Sequence, residues 1–469
     1  MEIARDEALI QPVTMVIFGV TGDLGQRKLL PALFDLYEKG FLPKDFRVIG
    51  FSRRALSDED FRAFITQILT KEKHAHKKEA IEVFAQHVCY QQGVFEDASA
   101  YEKLSQIIGR IDDTFSVCAN KLFHLAVPPI YYETILTRLA HSGLTESCSP
   151  KEGWTRVLVE KPFGSDSATA QDLDELLGKL FAEEQIFRID HYLAKEALQD
   201  ILSFRFSNAL FEPIWNNNYI EKVCIKLHET QGIEGRGSFY DKVGALRDVG
   251  QNHVLQMLAL VAMENPGKLE AGQIRAQRAK IFRALRVSNE HVIKGQYKGY
   301  REEQNVSPSS KTETYFRVRA GIKNRRWRGV PFFLESGKKL KETKTEIAVY
   351  FKTSPCLCPK GPHEVHQNIV TFRIQPDEGI SVQFWAKEPG FAFHLEPKIL
   401  SFHYKDSFAQ HTFPDPYERV LFDCIRGDQT LFTSTQEIRA SWAFISPIIE
   451  AWQALPPHEY EPGTDGPVS

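Results

Sequence analysis

The sequence predicts two domains of different class. The first is an α/β domain on a doubly wound parallel sheet. The second is an α+β domain with a large, mainly antiparallel sheet. Three observations predict this. A length of 469 residues suits two or three domains at about 100–200 residues each. Residues 1–190 alternate short apolar runs with helical segments, the rhythm of a sheet buried on both faces. From residue 191 onward, strands of period-two character follow one another and helices stand apart. The domains are therefore drawn as 1–190 and 191–469.

In chain order, the first domain has strands at 14–18, 46–51, 88–91, 121–126, 156–159 and 186–189. Helical segments between them include 24–37, 130–141 and 167–181. Pro31 lies inside the first of these and is expected to end or bend it. The second domain has strands at 220–229, 314–322, 345–351, 368–374 and 380–385, with helices at 249–263 and 437–452. Segments 305–311 and 456–469 read as loops. A broad sheet with one face short of helices suits pairing with a second copy, so a homodimer or homotetramer is expected.

Composition excludes several classes. Hydrophobic residues make up 42% and charged residues 25%, with a net charge of -3, as in an ordinary soluble globular chain. No basic stripe marks a nucleic-acid partner. A small anionic substrate remains open, since it needs only a few local cations. The seven cysteines are scattered and odd in number, which reads as reduced cytoplasmic thiols. The one close pair, Cys356 and Cys358, has no second pair to complete a zinc site, and no metal is expected. The first dozen residues carry acids and no apolar core, which argues against a signal peptide. The longest apolar run, 254–263, is far short of the about 20 residues that span a bilayer, and reads as a buried helix. A cytoplasmic chain with no membrane association is expected.

The stretch GVTGDLGQRK, residues 19–28, joins the first strand to the first helix. Free N–H groups at a helix start, with the helix dipole, favour a pyrophosphate. Gly19 would make the tight turn, Gly22 would let the backbone approach a phosphate, and Gly25 would let helix pack on strand. The spacing is GxxGxxG rather than GxGxxG, so a plain glycine-rich turn also fits. Thr21, Asp23 and Leu24 complete the turn. The second strand runs into Arg53 and Arg54, where an NAD site commonly has an acid. A guanidinium suits a 2′-phosphate and points to NADP, against the plainer reading of a solvated arginine pair.

Three further segments are dense in catalytic residue types. Glu160-Lys161-Pro162-Phe163-Gly164 follows a strand, where doubly wound sheets bind ligands. In the run from Arg188 to Glu196, Asp190 ends a strand and a helix is expected to begin. His191 and Lys195 would then share one helix face and, with Tyr192, suit a phosphate; Asp190 as a simple helix cap is the alternative. Arg247-Asp248-Val249-Gly250-Gln251-Asn252-His253 opens an apolar helix. A histidine there is often a packing residue, yet a histidine with an aspartate partner is the usual base near neutral pH.

Together these segments resemble the glucose-6-phosphate dehydrogenase family, over nearly the whole chain. The resemblance rests on GVTGDLGQRK, EKPFG, RIDHYLAKE and RDVGQNH, then RWRGVPF at 326–332, SGK at 336–338 and DPYERVLFD at 415–423. It implies an NADP-binding Rossmann-type domain, a β+α domain that forms dimers through its sheet, and oxidation of glucose 6-phosphate at C1. By motif, His253 resembles the general base and Asp190 its carboxylate partner. His191, Tyr192 and Lys195 resemble the phosphate cradle. Lys161 resembles the lysine that touches sugar and cofactor, and Pro162 the cis-proline beside it. Glu229 and Asp248 resemble carboxylates that hold sugar hydroxyls, and Lys338 a substrate lysine. Arg53 resembles the 2′-phosphate arginine. The chain departs from the pattern at Ala194, usually glycine, at Gly25, usually alanine, and at Thr343, usually a second substrate cation, where either Lys344 or Lys341 substitutes or the contact is lost. Two other classes share part of the pattern: another NADP-linked sugar oxidoreductase, and a dinucleotide sensor without chemistry. The phosphate cations together with the Asp190 and His253 dyad argue against both.

Overall fold

The computed structural model describes residues 11–71, 78–148, 153–353, 366–408, 410 and 413–467. The first ten residues and the Cys356/Cys358 pair lie outside the described residues. The chain divides into two units. The first comprises Met1–Gly164, Ala168–Ala194 and Phe413–Thr435; the second comprises Ser165–Ser167, Lys195–Thr412 and Gln436–Ser469.

The first unit holds strands β1 (Val13–Phe18), β2 (Phe46–Ser52), β3 (Val88–Gln92), β4 (Asn120–Leu125), β5 (Thr155–Val159), β6 (Ile186–Ile189) and the short β15 (Phe432–Thr433). Its helices are α1 (Leu30–Glu38), α2 (Asp58–Thr70), α3 (Lys78–Ala85), α4 (Ala98–Phe115), α5 (Tyr132–His141), α6 (Ser167–Leu180) and α12 (Pro416–Arg426). The sheet order is β15-β6-β5-β4-β1-β2-β3, with β1 to β6 all parallel and β15 antiparallel to β6. This is the Rossmann-type order, and it reverses between β1 and β4. Every residue of β1 and β4 is buried; β1 is apolar but for Thr14, whereas β4 also takes Asn120, Lys121 and His124 inside the sheet. Local chemistry sets the helix ends. Ser57 and Asp60 form a reciprocal cap on α2, and Asp415 and Glu418 do the same on α12, which Gly427 closes at φ 82. Pro31 does not end its helix: it falls in the first turn of α1, after a π-helical turn, Gly25–Leu29, that carries the chain out of the glycine loop.

Cys118 and Cys148 are joined in a disulfide, with Cα atoms 6.4 Å apart. This corrects the expectation of reduced thiols throughout. The loops after α4 and α5 converge beside β4, a proximity that a 30-residue separation conceals.

The second unit holds α7 (Glu196–Phe206), β7 (Ile220–His228), α8 (Gly237–Ala245), a π-helical segment Leu246–Val254, α9 (Leu255–Ala262), α10 (Ala271–Ala284), β8 (Leu285–Tyr297), β9 (Tyr315–Ile322), β10 (Phe332–Gly337), β11 (Lys344–Phe351), β12 (Ile369–Gln375), β13 (Gly379–Lys387), β14 (Leu395–His403), α11 (Tyr404–Ser407), α13 (Thr435–Gln453) and β16 (His458–Tyr460). Its sheet runs β14-β13-β12-β11-β7-β10-β9-β8-β16 and is antiparallel except for the β7/β10 and β8/β16 pairs. β16 lies within the tail expected to be a loop; its three residues pair with Gly295, Gln296 and Tyr297. The apolar run 254–263 is buried throughout, as its composition demanded. Arg278 of α10 meets Glu437 of α13 at 2.8 Å with both side chains fully buried. Removing one partner of such a pair costs about 3–5 kcal/mol, because the other charge is left stranded.

Candidate active site

In the first unit, the predicted residues gather at the carboxyl ends of the parallel strands. The glycine turn follows β1, beside the point where the sheet order reverses. Gly19 has φ +80, and a Cβ there would lie 2.4 Å from the carbonyl oxygen of Ala126. The N–H of Gly22 donates to the carbonyl of Gly19 at 2.8 Å, which closes the turn. The Thr21 hydroxyl lies 2.9 Å from that of Ser52 at the end of β2. Ser52 in turn lies 2.8 Å from the Tyr90 hydroxyl, which donates to the carbonyl of Arg54 at 2.7 Å. These bonds clip the turn to the β2 terminus that carries Arg53. Arg53 is exposed and makes no ion pair among the described residues. Asp23 is exposed and pairs with Arg27 at 2.8 Å, and Leu24 is half-buried. Gly25 is buried, and a Cβ there would lie 2.0 Å from the carbonyl of Val20, so an alanine in its place would require the backbone to move. A backbone this close to its own turn, opening into helix, fits a pyrophosphate.

Lys161 follows β5, and its peptide bond to Pro162 is cis. Its neighbour Glu160 is anchored from three sides. His124 meets one carboxylate oxygen at 3.0 Å, Tyr417 donates to the other at 3.3 Å, and Tyr132 donates to the Glu160 carbonyl at 3.0 Å. Asp190 ends β6 and is 2% exposed. Its carboxylate accepts from the N–H of Tyr192 at 3.0 Å, and its carbonyl accepts from Leu193 at 3.0 Å. Residues 191–194 are therefore turns, and α7 begins only at Glu196, with Lys195 at its N-cap. This corrects the expectation that His191 and Lys195 share a helix face. The aspartate captured the N–H groups and folded the chain back before the helix started. The rings of His191 and Tyr192 lie 5.2 Å apart.

In the second unit, Lys195 donates to the Gln375 side chain, and burial pulls its pKa below the ordinary lysine value. Asp248 and His253 share the π-helical segment, where His253 is 1% exposed. The segment is pinned at its start. The fully buried Glu313 accepts from the N–H of Leu246 at 3.1 Å, and its carbonyl accepts from Ala245 at 3.0 Å. Burial raises the Glu313 pKa. Gly244, at φ 75, leaves the space that this carboxylate fills. Asn252 reaches back to the Asp248 carbonyl at 3.0 Å, and Gln251 donates to Ser441 at 2.8 Å.

Glu229 and Lys338 meet at 2.6 Å. The Lys338 ammonium stands 5.3 Å above the Tyr240 ring, and its carbonyl accepts from the Tyr460 hydroxyl at 2.6 Å. Tyr240 is wholly buried, which holds its phenol well above the usual pKa. Lys344 lies between Glu342 at 2.5 Å and Glu346 at 3.5 Å, and Thr343 bonds to Thr230 at 2.9 Å. Glu313, Tyr240, Tyr460 and His124 were not singled out in the sequence, and Tyr417 entered only as part of the motif at 415–423. Each is an isolated residue whose role depends on a contact distant along the chain. A cavity of about 780 Å³ in this unit is lined by Arg205, Glu212, Glu264 and Arg326, none of them a predicted site residue. Its charges are spent on one another, with Arg326 at 2.8 Å from Glu212 and 2.6 Å from Glu264.

Two family models match the chain: the NAD-binding domain of glucose-6-phosphate dehydrogenase over residues 16–200, and the C-terminal domain of the same enzyme over residues 202–469. The glucose-6-phosphate 1-dehydrogenase of Chlamydia muridarum is 41% identical over 95% of this chain and 91% of its own length. That of Aggregatibacter actinomycetemcomitans is 42% identical over 97% and 94%. A solved structure of glucose-6-phosphate dehydrogenase in complex with its substrate glucose 6-phosphate superposes with a TM-score of 0.90, at 32% identity, covering 97% of this chain and 95% of that one.

Proposed function

The chain belongs to the glucose-6-phosphate dehydrogenase family, and from that premise we propose how its own residues carry the reaction. It oxidises glucose 6-phosphate to 6-phospho-D-glucono-1,5-lactone, the opening step of the oxidative pentose phosphate pathway, with a nicotinamide cofactor. The cofactor is NADP, held by the turn from Gly19 to Gly25 and by the Arg53 guanidinium on the 2′-phosphate. When bound, it accepts the hydride from C1. His253 removes the proton of the C1 hydroxyl, and Asp190 orients the ring and stabilises the imidazolium. Lys161 contacts both sugar and cofactor. His191, Tyr192 and Lys195 bind the phosphate, and Lys195 gains most from a dianion because burial otherwise disfavours its charge. Glu229, Asp248 and Lys338 hold sugar hydroxyls, and Lys344 supplies the second substrate cation.

The observation that carries this reading is the polar set Glu229, Asp248, His253 and Lys338, each buried or half-buried. The scattered cysteines of the sequence support a cytoplasmic enzyme, and the broad second sheet supports a homodimer or homotetramer. No helix among the described residues is long and apolar enough to cross a membrane.

A steady-state assay of the purified chain tests the reading. Reduced nicotinamide is followed with glucose 6-phosphate and either NADP or NAD, with glucose as control. Turnover that requires the phosphate and favours NADP is expected. Substituting Arg53→Ala should raise the NADP KM roughly tenfold or more, since a charge-assisted contact is worth about 1.5–3 kcal/mol. Equal use of glucose would remove the phosphate cradle. An unchanged NADP KM in the variant would remove Arg53.

A further inference from the structure

Lys121 of β4 is 6% exposed, and among the described residues its ammonium donates to two sulfurs: Cys148 Sγ at 3.3 Å and Cys118 Sγ at 3.6 Å. Disulfide sulfurs are weak acceptors, so in the oxidised pair a buried cation is left poorly satisfied. A thiolate in the same place satisfies it. The carboxylate of Asp112, one oxygen of which accepts from the N–H of Ala119 at 3.0 Å, faces the same cluster and offsets only part of the burial, which still pulls the Lys121 pKa below the ordinary lysine value. The other described cysteines are unlike these two. Burial pushes Cys89 up to about 11, and raises Cys224 and Cys424 as well. Cys148 is exposed and stands beside a cation, the setting of a reactive thiol.

We propose that Cys118 and Cys148 form a reversible thiol–disulfide switch whose reduced state is stabilised by Lys121. The oxidant is a low-molecular-weight disulfide. The Cys148 thiolate attacks one of its sulfurs, forming a mixed disulfide and releasing one small thiolate. Cys118, as thiolate, then attacks the Cys148 sulfur and releases the second. The protein loses two electrons and the small disulfide gains them, leaving two small thiols. A contact that favours the dithiol raises the reduction potential and makes the bond labile rather than permanently structural.

The test uses the full-length protein equilibrated in glutathione buffers of graded oxidised-to-reduced ratio. It is then acid-quenched, alkylated and resolved by peptide mass spectrometry. The Cys118–Cys148 pair is expected to pass through half-oxidation within the glutathione range. Lys121→Met, which keeps the buried stem, should shift the equilibrium toward the disulfide at least tenfold while leaving turnover unchanged. A pair that stays oxidised throughout, or a variant with the wild-type equilibrium, overturns the proposal. Should the variant fail to fold, alkylation of Cys148 in the reduced wild type is followed against pH. A midpoint below the ordinary cysteine value of about 8.5 upholds the lysine contact, and one at or above it overturns it.

Discussion

A base must lose its proton near neutral pH and must face its substrate in one orientation, and in the proposed function both demands fall on His253. The ring is buried on a segment whose start is bonded to Glu313. Replacing it by asparagine keeps a polar side chain of similar reach and removes the base. General-base catalysis is worth about 10²–10⁴ in rate, so His253→Asn should lower kcat by that factor with the melting temperature little changed. Wild-type turnover in a folded variant would refute the assignment. In the proposed function Gly19 serves the other half of the reaction. At φ +80, with the Ala126 carbonyl 2.4 Å from where a Cβ would stand, Gly19→Ala must push the turn away from β4. Calorimetry should show nicotinamide nucleotide affinity falling by at least tenfold, and unaltered affinity would mean the turn does not cradle phosphate. These two residues stood out in the sequence because each sits in a dense motif. Glu313 did not. Nothing near it in sequence hints at Leu246, and only the folded chain brings its carboxylate to that N–H.

The elements legible in the sequence are those with one dominant periodicity. β1 is a buried run, apolar but for Thr14, β4 and β6 keep buried apolar residues around Lys121, His124 and Arg188, and α9 is apolar but for Gln256. β10, β8 and β14 escaped. β10 was absorbed into the motif around Lys338, β8 carries polar residues along its length, and β14 contains Pro397 and five consecutive exposed positions. The turn at 191–194 shows the same limit from the other side. Four-residue spacing suggested a helix, but a backbone bond to Asp190 decided the conformation. On α12, the buried Asp423 lies 2.8 Å from Arg419, yet burial outweighs the guanidinium and raises its pKa to about 6. The fold therefore prefers the protonated acid. Stability from this group is complete below the unfolded carboxyl pKa and is lost as pH rises through about 6. Asp423→Asn, neutral at every pH, should be more stable than wild type at pH 8 by up to roughly 3 kcal/mol, with the advantage fading toward pH 4. Thermal melts across that range check it, and a pH-independent difference would contradict the burial argument.

At the scale of the molecule, the second unit ends its sheet in β13 and β14, which bury little. Ile399 and Leu400 are 64% and 65% exposed, and Phe393 is 50% exposed. Pro397 lacks an N–H and Lys398 carries a charge, so the outer edge of β14 is a poor template for adding a strand. The apolar area lies instead on a face. Phe204, Ile380, Val382, Leu400 and Phe402 line a groove of about 480 Å³. Patches of this kind on soluble proteins mark association sites, and the proposed homodimer would cover it with a second copy. An aspartate in the groove would bury an unpaired charge in the assembly yet stay solvated in the free chain. Leu400→Asp should therefore shift light-scattering mass from dimer or larger to monomer, with the circular dichroism spectrum unchanged. An assembly that survives the substitution intact would mean that copies meet elsewhere, and a wild-type monomer would mean that this groove serves no association of the chain with itself.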